Sequence, residues 1–389
     1  MDLSPNPEVE RLRAELRKLI AAEAPQIPFR NGDRVAHSQE ELDQLKCWTR
    51  RLFELDFIGR DWPREHGGLD EHDSEFKAMV SGTIEEACAP QPLAFWELPA
   101  RCLIHFGTEA QKLEYLPKIR SAEVVWCQLF SEPGAGSDLA ALTTRAAWNG
   151  TKYVVNGQKV WNTQAQWADC GFMLARTSSE GAKHAGLSLF LLDMRQSGVD
   201  VRPIREATGT WDFNEVFLNG AEILEGDRIG TEGQGWNIAT QCLAFERVVM
   251  GSYAARTRAV MDALLDRARN LDGLPDGARH RLAELHVACD ISGLLSAVIA
   301  ARETAGKSRL QDPPISKLFF SETYQDIARC AMDLLGIDAA YQGKGAQVLD
   351  DGRWPDMWLY APAFTISGGS SEIMLNVLAE RALGMPRSA

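Results

Sequence analysis

Apolar residues recur at three- and four-residue intervals in the first third of the chain, at Val9, Leu12, Leu16 and Leu19 and again at Leu42, Leu45, Trp48 and Leu52. That spacing puts each set on one helix face, so residues 1–125 are expected to form an N-terminal helical domain. Between 126 and 230 the texture changes to short runs suited to strands, at 152–155, 187–192 and 215–218. They are separated by Asn149-Gly150, Asn156-Gly157 and Asn219-Gly220, dipeptides that suit tight hairpins, which predicts a middle antiparallel β domain. The helical period returns over 231–389 in four segments that begin near Trp236, Ala278, Pro313 and Ser370. Asp312 is expected to cap the third segment and Gly336 to stop it, and a C-terminal four-helix bundle is the simplest packing. The predicted fold is therefore α+β.

The chain has 389 residues, 45% of them hydrophobic, enough for several packed layers. Its formal net charge of −13 argues against nucleic acid as a main partner, because phosphate binding needs clustered Lys and Arg. The N-terminal residues lack a basic, apolar leader, and no uninterrupted apolar run approaches the roughly 20 residues that span a bilayer, so no membrane span and a cytoplasmic setting are expected. The eight cysteines are scattered with no Cys-x-x-Cys pair and read as reduced thiols. His66 and His72, or His280 and His286, lack the i,i+4 spacing of a helical metal pair, and no metal site is expected.

The candidate chemistry lies in Leu129-Phe130-Ser131-Glu132-Pro133-Gly134-Ala135-Gly136-Ser137-Asp138, followed by Asn156-Gly157-Gln158-Lys159-Val160-Trp161-Asn162-Thr163 and then Ala168-Asp169. A Gly-rich turn flanked by Ser131 and Ser137 can offer N–H groups and hydroxyls to an anion such as a pyrophosphate. Trp161 and Thr163 can wall and hydrogen-bond a planar ring. Together they point to a flavin, although a Gly-Ala-Gly turn by itself serves equally to reverse the chain.

As a joined pattern these stretches resemble the acyl-CoA dehydrogenase family, which reads Thr/Ser-Glu-Pro-x-Ala-Gly-Ser-Asp and then Gly-x-Lys-x-Trp-x-Thr/Ser at this separation. The stretches at 61–68 (Asp61-Trp62-Pro63 to Gly67-Gly68), 106–113, 366–373 (Ile366-Ser367-Gly368-Gly369-Ser370-Ser371-Glu372-Ile373) and 379–386 also look like that family, so the resemblance covers nearly the whole chain. It implies FAD as cofactor, an acyl-CoA as substrate, α,β-dehydrogenation to the 2-enoyl-CoA, and a separate electron-transfer flavoprotein as acceptor. By resemblance, Gln128, Leu129, Phe130, Ser131, Gly136, Ser137, Trp161 and Thr163 meet the flavin. Ser370 and Glu372 reach the flavin nucleotide across a dimer interface, and Ser137, Phe245, Arg247 and Gly369 lie near the CoA thioester.

Oxidation at the α,β carbons needs a base for the α proton. The family carries a Glu either in the C-terminal motif, where this chain has Gly368, or on the first bundle helix, where it has Phe245-Glu246-Arg247. Glu246 falls on the stripe Ala239, Cys242, Leu243, Val249, Met250 and Tyr253, which turns its carboxylate toward the bundle interior. There it is either desolvated into a useful base or neutralised by a partner such as Arg247. The resemblance favours the base.

Two features depart from the family. Its Arg-x-x-Phe-Gly motif, whose Arg reaches the flavin pyrophosphate of the neighbouring subunit, is missing from the stretch 267–279, and the Gly-Gly turn after the third bundle helix is reduced to Leu334-Leu335-Gly336-Ile337. A homotetramer and a heterotetramer with a related subunit both remain open. So do a flavin monooxygenase or oxidase on the same scaffold and a non-catalytic subunit of a heteromer. By resemblance, a base on the bundle helix together with the missing motif goes with branched, long or polycyclic acyl groups, steroid side chains included, while the acyl group itself is decided by pocket shape and not by these motifs.

Overall fold

The computed structural model describes residues 6–28, 35–241, 251–342 and 348–386. They divide into two compact units, one formed by Met1–Gly32, His72–Gln91 and Arg247–Ala389, the other by Asp33–Glu71 and Pro92–Glu246. In chain order the first helices are α1 (Pro7–Glu23), α2 (Gln39–Glu54), α3 (Ser74–Glu86), α4 (Glu97–Phe106) and α5 (Glu109–Arg120). The expected stripes are real: Val9 and Leu16 are buried on α1, and Leu42, Leu45, Trp48 and Leu52 on α2. The helix starts follow local chemistry. Ser38 accepts from the Glu41 amide at 3.2 Å, and Thr108 and Gln111 form a reciprocal capping box at the start of α5.

The second unit combines α2, α4 and α5 with an eight-stranded sheet. Its strands are β1 (Trp126–Leu129), β2 (Arg145–Trp148), β3 (Lys152–Lys159), β4 (Cys170–Arg176), β5 (Leu187–Asp193), β6 (Val199–Pro203), β7 (Asn214–Leu224) and β8 (Arg228–Ile229). They run in the order β6-β7-β3-β2-β4-β5-β8, with β1 beside β4. The sheet is mostly antiparallel, as expected; β1 and β2 instead pair with β4 in parallel. Strands β4 and β5 are covered on both faces, which accounts for their continuous apolar runs. Phe172, Leu174, Leu189 and Leu191 pack with Leu98, Leu103 and Leu116 of α4 and α5, while Met173, Phe190 and Leu192 pack with Tyr153, Val155 and Leu218.

Of the three Asn-Gly dipeptides only Asn149-Gly150 makes a hairpin turn, between β2 and β3, where the Asn149 amide bonds the Lys152 carbonyl at 3.0 Å. Asn156-Gly157 and Asn219-Gly220 lie inside β3 and β7 and correct the hairpin expectation. The pairing register slips between Val155 and Asn156, Gly220 is the extra residue at φ +72°, and its amide donates to Asn156 Oδ1 at 3.0 Å. The left-handed backbone that makes Asn-Gly a good turn serves a β-bulge equally well.

The first unit packs α1 and α3 with the helices Gly251–Arg269, Ala278–Thr304, Asp312–Leu335 and Arg353–Ile366 and the short helix Ser371–Asn376. Arg256 makes a buried two-pronged ion pair with Glu85 of α3, at 2.9 and 3.0 Å. Phe364 is the centre of an aromatic cluster with Tyr253, Phe320, Tyr324 and Tyr360. Three expectations are corrected. The helix Arg353–Ile366 is additional to the four segments read from the sequence. Asp312 is the first helical residue rather than the cap, and its carboxylate takes Arg302 at 2.6 Å and the Arg309 amide at 3.1 Å. Cys102 is disulfide-bonded, against the reading of reduced thiols, because spacing along the chain says nothing about cysteines brought together by folding. Cys47, Cys88, Cys127, Cys170, Cys289 and Cys330 are free thiols.

Gly336 does stop its helix, at φ +60° with its amide on the Met332 carbonyl. Within Ala278–Thr304, the stretch Ala278–Glu303 is long and apolar enough to cross a membrane by length and composition alone, a test that the core helix of a globular protein also passes, and polar residues interrupt it throughout. Val287, Ile291 and Leu294 lie exposed along it.

Candidate active site

The Gly-rich stretch leaves β1 at Leu129 and turns back over Pro133 and Gly134, closed by the Glu132 amide on the Ala135 carbonyl at 3.1 Å and the Ala135 amide on the Glu132 carbonyl at 3.0 Å. Leu129 is wholly buried, and Phe130 packs against Phe172 at 5.7 Å between ring centroids, so both side chains belong to the core. Ser131 is half-buried, and Gly136 and Ser137 are exposed. A Cβ added at Gly134 or Gly136 would meet nothing within 4 Å, so the protein's own packing does not require glycine there. The turn leaves room for a ligand to approach its backbone.

Beneath the turn lies a buried ion pair. The Glu132 carboxylate accepts the Thr143 amide at 2.6 Å and hydroxyl at 2.8 Å, the Thr144 amide at 2.9 Å and Lys159 Nζ at 2.9 Å. Lys159 Nζ donates a second bond to the Phe130 carbonyl at 3.0 Å. Burial acts to raise the Glu132 pKa, but the Lys159 charge and the two threonines outweigh it and hold the carboxyl down to about 2. Burial pushes the Lys159 ammonium down to about 8 against the pull of Glu132.

Past Lys159 the chain crosses beside the turn, with the Val160 amide on the Ser131 carbonyl at 3.0 Å. Trp161 then takes a left-handed backbone, φ +60°, and stands 60% exposed, its ring edge-to-face with Phe213 at 6.0 Å. Its neighbours turn inward: Asn162, Thr163 and Gln164 are buried. Asn162 Nδ2 donates to the Gln128 carbonyl at 2.8 Å, and Gln164 Nε2 to the Trp126 and Ala94 carbonyls, both at 2.7 Å. These amide side chains tie the crossing segment to β1. Together they hold a large indole out in solvent on an uncommon backbone conformation, which is what a wall for a planar ring requires and what a packing tryptophan does not.

Gly369, Ser370 and Glu372 belong to the other unit. Ser370 caps the helix Ser371–Asn376, accepting the Ile373 amide at 3.4 Å. The exposed Glu372 carboxyl is held below its usual range by its own amide and the Ser370 hydroxyl. In the same unit Lys317 is 2% exposed with no hydrogen-bond partner for Nζ among the described residues, and burial pushes its ammonium down to about 8 against the charges of Glu372 and Glu322. Arg267, at the head of the stretch that departs from the family, is engaged within the chain. It donates to both oxygens of Asp350, at 2.7 and 3.0 Å, and Trp354 Nε1 donates to the same carboxylate at 2.7 Å. Phe245, Glu246 and Arg247 lie outside the described residues.

Glu132, Lys159, Asn162 and Gln164 were not singled out from the sequence, although the first three stand inside the two motifs. Their partners lie far along the chain, and only the passage of the segment 159–164 past β1 and the turn that follows it joins them.

Three family models match the chain in order: acyl-CoA dehydrogenase, N-terminal domain, at residues 6–123; the middle domain at 127–220; and the C-terminal domain at 233–383. Acyl-CoA dehydrogenase IpdE1 of Mycobacterium tuberculosis is 34% identical over 98% of this chain and 99% of its own length. Among solved structures, the Tcur3481-Tcur3483 steroid ACAD superposes with a TM-score of 0.90 at 26% identity, covering 100% of both chains. The ChsE4-ChsE5 complex from Mycobacterium tuberculosis does so with a TM-score of 0.87 at 26% identity and the same coverage. The sheet with its open Gly-rich turn and displayed tryptophan and these likenesses along the full length agree: the chain belongs to the acyl-CoA dehydrogenase family of flavin-dependent oxidoreductases.

Proposed function

We propose that the chain oxidises a bulky acyl-CoA to its 2-enoyl-CoA in the cytoplasm, with FAD as cofactor, Glu246 as the base for the α proton and an electron-transfer flavoprotein as acceptor. Bound flavin supplies the hydride acceptor for the β carbon. The observation that carries the reading is the exposed Trp161 indole, fixed at φ +60° beside the open turn 131–138. Ser131, Gly136, Ser137, Trp161 and Thr163 would hold the flavin, and Ser370 and Glu372 of a neighbouring subunit its nucleotide end. Ser137, Phe245, Arg247 and Gly369 would receive the CoA thioester. A polycyclic or branched acyl group is favoured by the likeness to a steroid ACAD.

The assembly we propose is a heterotetramer with a related subunit. Arg267 is committed to Asp350, so it is a poor candidate for a cation reaching a neighbour's pyrophosphate. The exposed stripe of Val287, Ile291 and Leu294 supports burial against another subunit. The similar Tcur3481-Tcur3483 and ChsE4-ChsE5 structures each pair two different chains. Production of the chain alone and together with its nearest encoded relative, followed by light scattering and flavin absorbance, tests this. The proposal expects a stable complex only in co-production, with about one flavin for every two chains. A homotetramer with one FAD per chain and full activity alone would overturn it.

A further inference from the structure

Ser131 stands between two carbonyls that are both fixed from the same short segment. The Phe130 carbonyl accepts Lys159 Nζ at 3.0 Å, and the Ser131 carbonyl accepts the Val160 amide at 3.0 Å. In a planar trans peptide the N–H points away from the carbonyl, so turning the Phe130 carbonyl inward to Lys159 sets the opposite direction for the Ser131 N–H. The same lysine ends β3, two residues before Trp161. Its counter-ion Glu132 follows Ser131 directly and uses the Thr143 and Thr144 donors to anchor the turn from behind. One buried contact therefore governs both the Gly-rich turn and the segment that displays Trp161.

We infer that Glu132 and Lys159 are positioning residues, which set the Ser131 amide and the Trp161 indole in register for the cofactor. The inference deepens the flavin reading of these two segments and rests on it. Stability does not account for the pair. Glu132 is 6% and Lys159 0% exposed, and stripping two charges of water costs about as much as their attraction returns. Both groups shift downward, which favours the charged form of Glu132 but disfavours that of Lys159, whose burial outweighs the pull of its partner. The attraction between the two charges is therefore a weak source of stability, and what the pair contributes is its bonds to the backbone of the turn and of Thr143 and Thr144. The bond to the Phe130 carbonyl is the one that orients the Ser131 amide. A second feature belongs to the same device: a Cβ on Gly157 would come within 2.7 Å of Thr144 Cα, so β3 is brought unusually close to the residue whose amide binds Glu132.

The test compares the full-length protein, co-produced with its partner, with the double variant Glu132→Gln/Lys159→Met, which removes both charges together and leaves neither buried alone. A control, Glu85→Gln/Arg256→Met, dissolves the buried ion pair of the other unit. The readouts are the FAD dissociation constant from quenching of flavin fluorescence, the shape of the bound flavin's visible bands, and the melting temperature of the apoprotein. The expected result is a double variant that melts no lower than the control, binds FAD at least ~10-fold more weakly than the wild type, in line with the loss of one well-placed hydrogen bond, and shows altered bands, while the control keeps wild-type affinity and bands. Wild-type affinity and bands in the double variant would overturn the positioning role while leaving the flavin reading intact. Equal weakening in the control would overturn it as well, by tracing the loss to general destabilisation. A wild-type protein that binds no FAD would overturn the flavin reading, and this inference with it.

Discussion

The Trp161 indole meets the Phe213 ring edge-to-face at 6.0 Å and nonetheless keeps 60% of its surface in solvent. Phe213 braces one edge of the ring and leaves a face free. An aromatic surface of this size left exposed forgoes apolar burial that a bound ring stacked on its free face would recover. Trp161→Ala is therefore expected to preserve the melting temperature of the apoprotein and to loosen FAD, seen as lower flavin occupancy at limiting FAD. Ser137→Ala removes an exposed hydroxyl beside the same turn, and is expected to loosen FAD less than Trp161→Ala and mainly to raise KM for the acyl-CoA. Equal occupancy in wild type and Trp161→Ala would count against the wall.

Two glycines of the β3–β7 ladder separate backbone strain from site geometry. Gly220 sits at φ +72° with open space around its Cα, so Gly220→Ala should cost only about 1 kcal/mol, with no change in flavin binding. Gly157 has Thr144 Oγ1 at 2.4 Å and Thr144 Cα at 2.7 Å from the place a Cβ would take. Gly157→Ala must push β3 off Thr144, and a loss of about 3 kcal/mol together with weaker FAD binding is expected, in line with overpacking of a close contact. Thermal melts and flavin titrations on the two variants check this; a Gly157→Ala protein as stable as Gly220→Ala would show that the approach is not tight.

Acid sensitivity follows from Glu132. Its carboxyl is held down to about 2 in the folded chain, below the 4.5 of an unperturbed glutamate, so between those values the unfolded chain binds more protons. Stability from this group is complete above pH ~4.5 and drains away as the pH falls toward 2, by at most ~3 kcal/mol for a shift of this size. Lys159 is protonated in both states throughout that window and adds no slope. Urea unfolding at a series of pH values should show a shallower acid decline in Glu132→Gln/Lys159→Met than in the wild type; parallel declines would exclude Glu132 as a source.

The sequence was most legible where one physical cause acts alone. The stripes of α1 and α2 and the strands β3, β5 and β7 follow from periodicity, and the Gly-rich turn and Trp161 from side-chain chemistry. It was misleading where one local signal serves two geometries. Asn156-Gly157 and Asn219-Gly220 carry the composition of a turn, yet the left-handed residue they supply sits in a bulge between facing strands. The helix Arg353–Ile366 was hidden by Pro355 and Pro362, although Trp354, Met357, Ala361 and Phe364 recur at helical spacing and Pro355 falls in the first turn, where no amide is needed. Glu132 and Lys159 were in plain view but 27 residues apart, and their meeting depends on strand placement that no local pattern encodes. The disulfide at Cys102 was missed for the same reason.

Dehydrogenation of an acyl-CoA by a flavin with Glu246 as base is tested most directly by anaerobic stopped-flow bleaching of the bound flavin by a panel of acyl-CoAs, in wild type and in Glu246→Gln. Rapid bleaching of the wild type by at least one branched or polycyclic acyl-CoA is expected. The rate should be at least ~10³-fold lower in Glu246→Gln with flavin content unchanged, the usual loss for a missing general base. A flavin that no acyl-CoA bleaches, or a Glu246→Gln protein that bleaches at a near-normal rate, would contradict it.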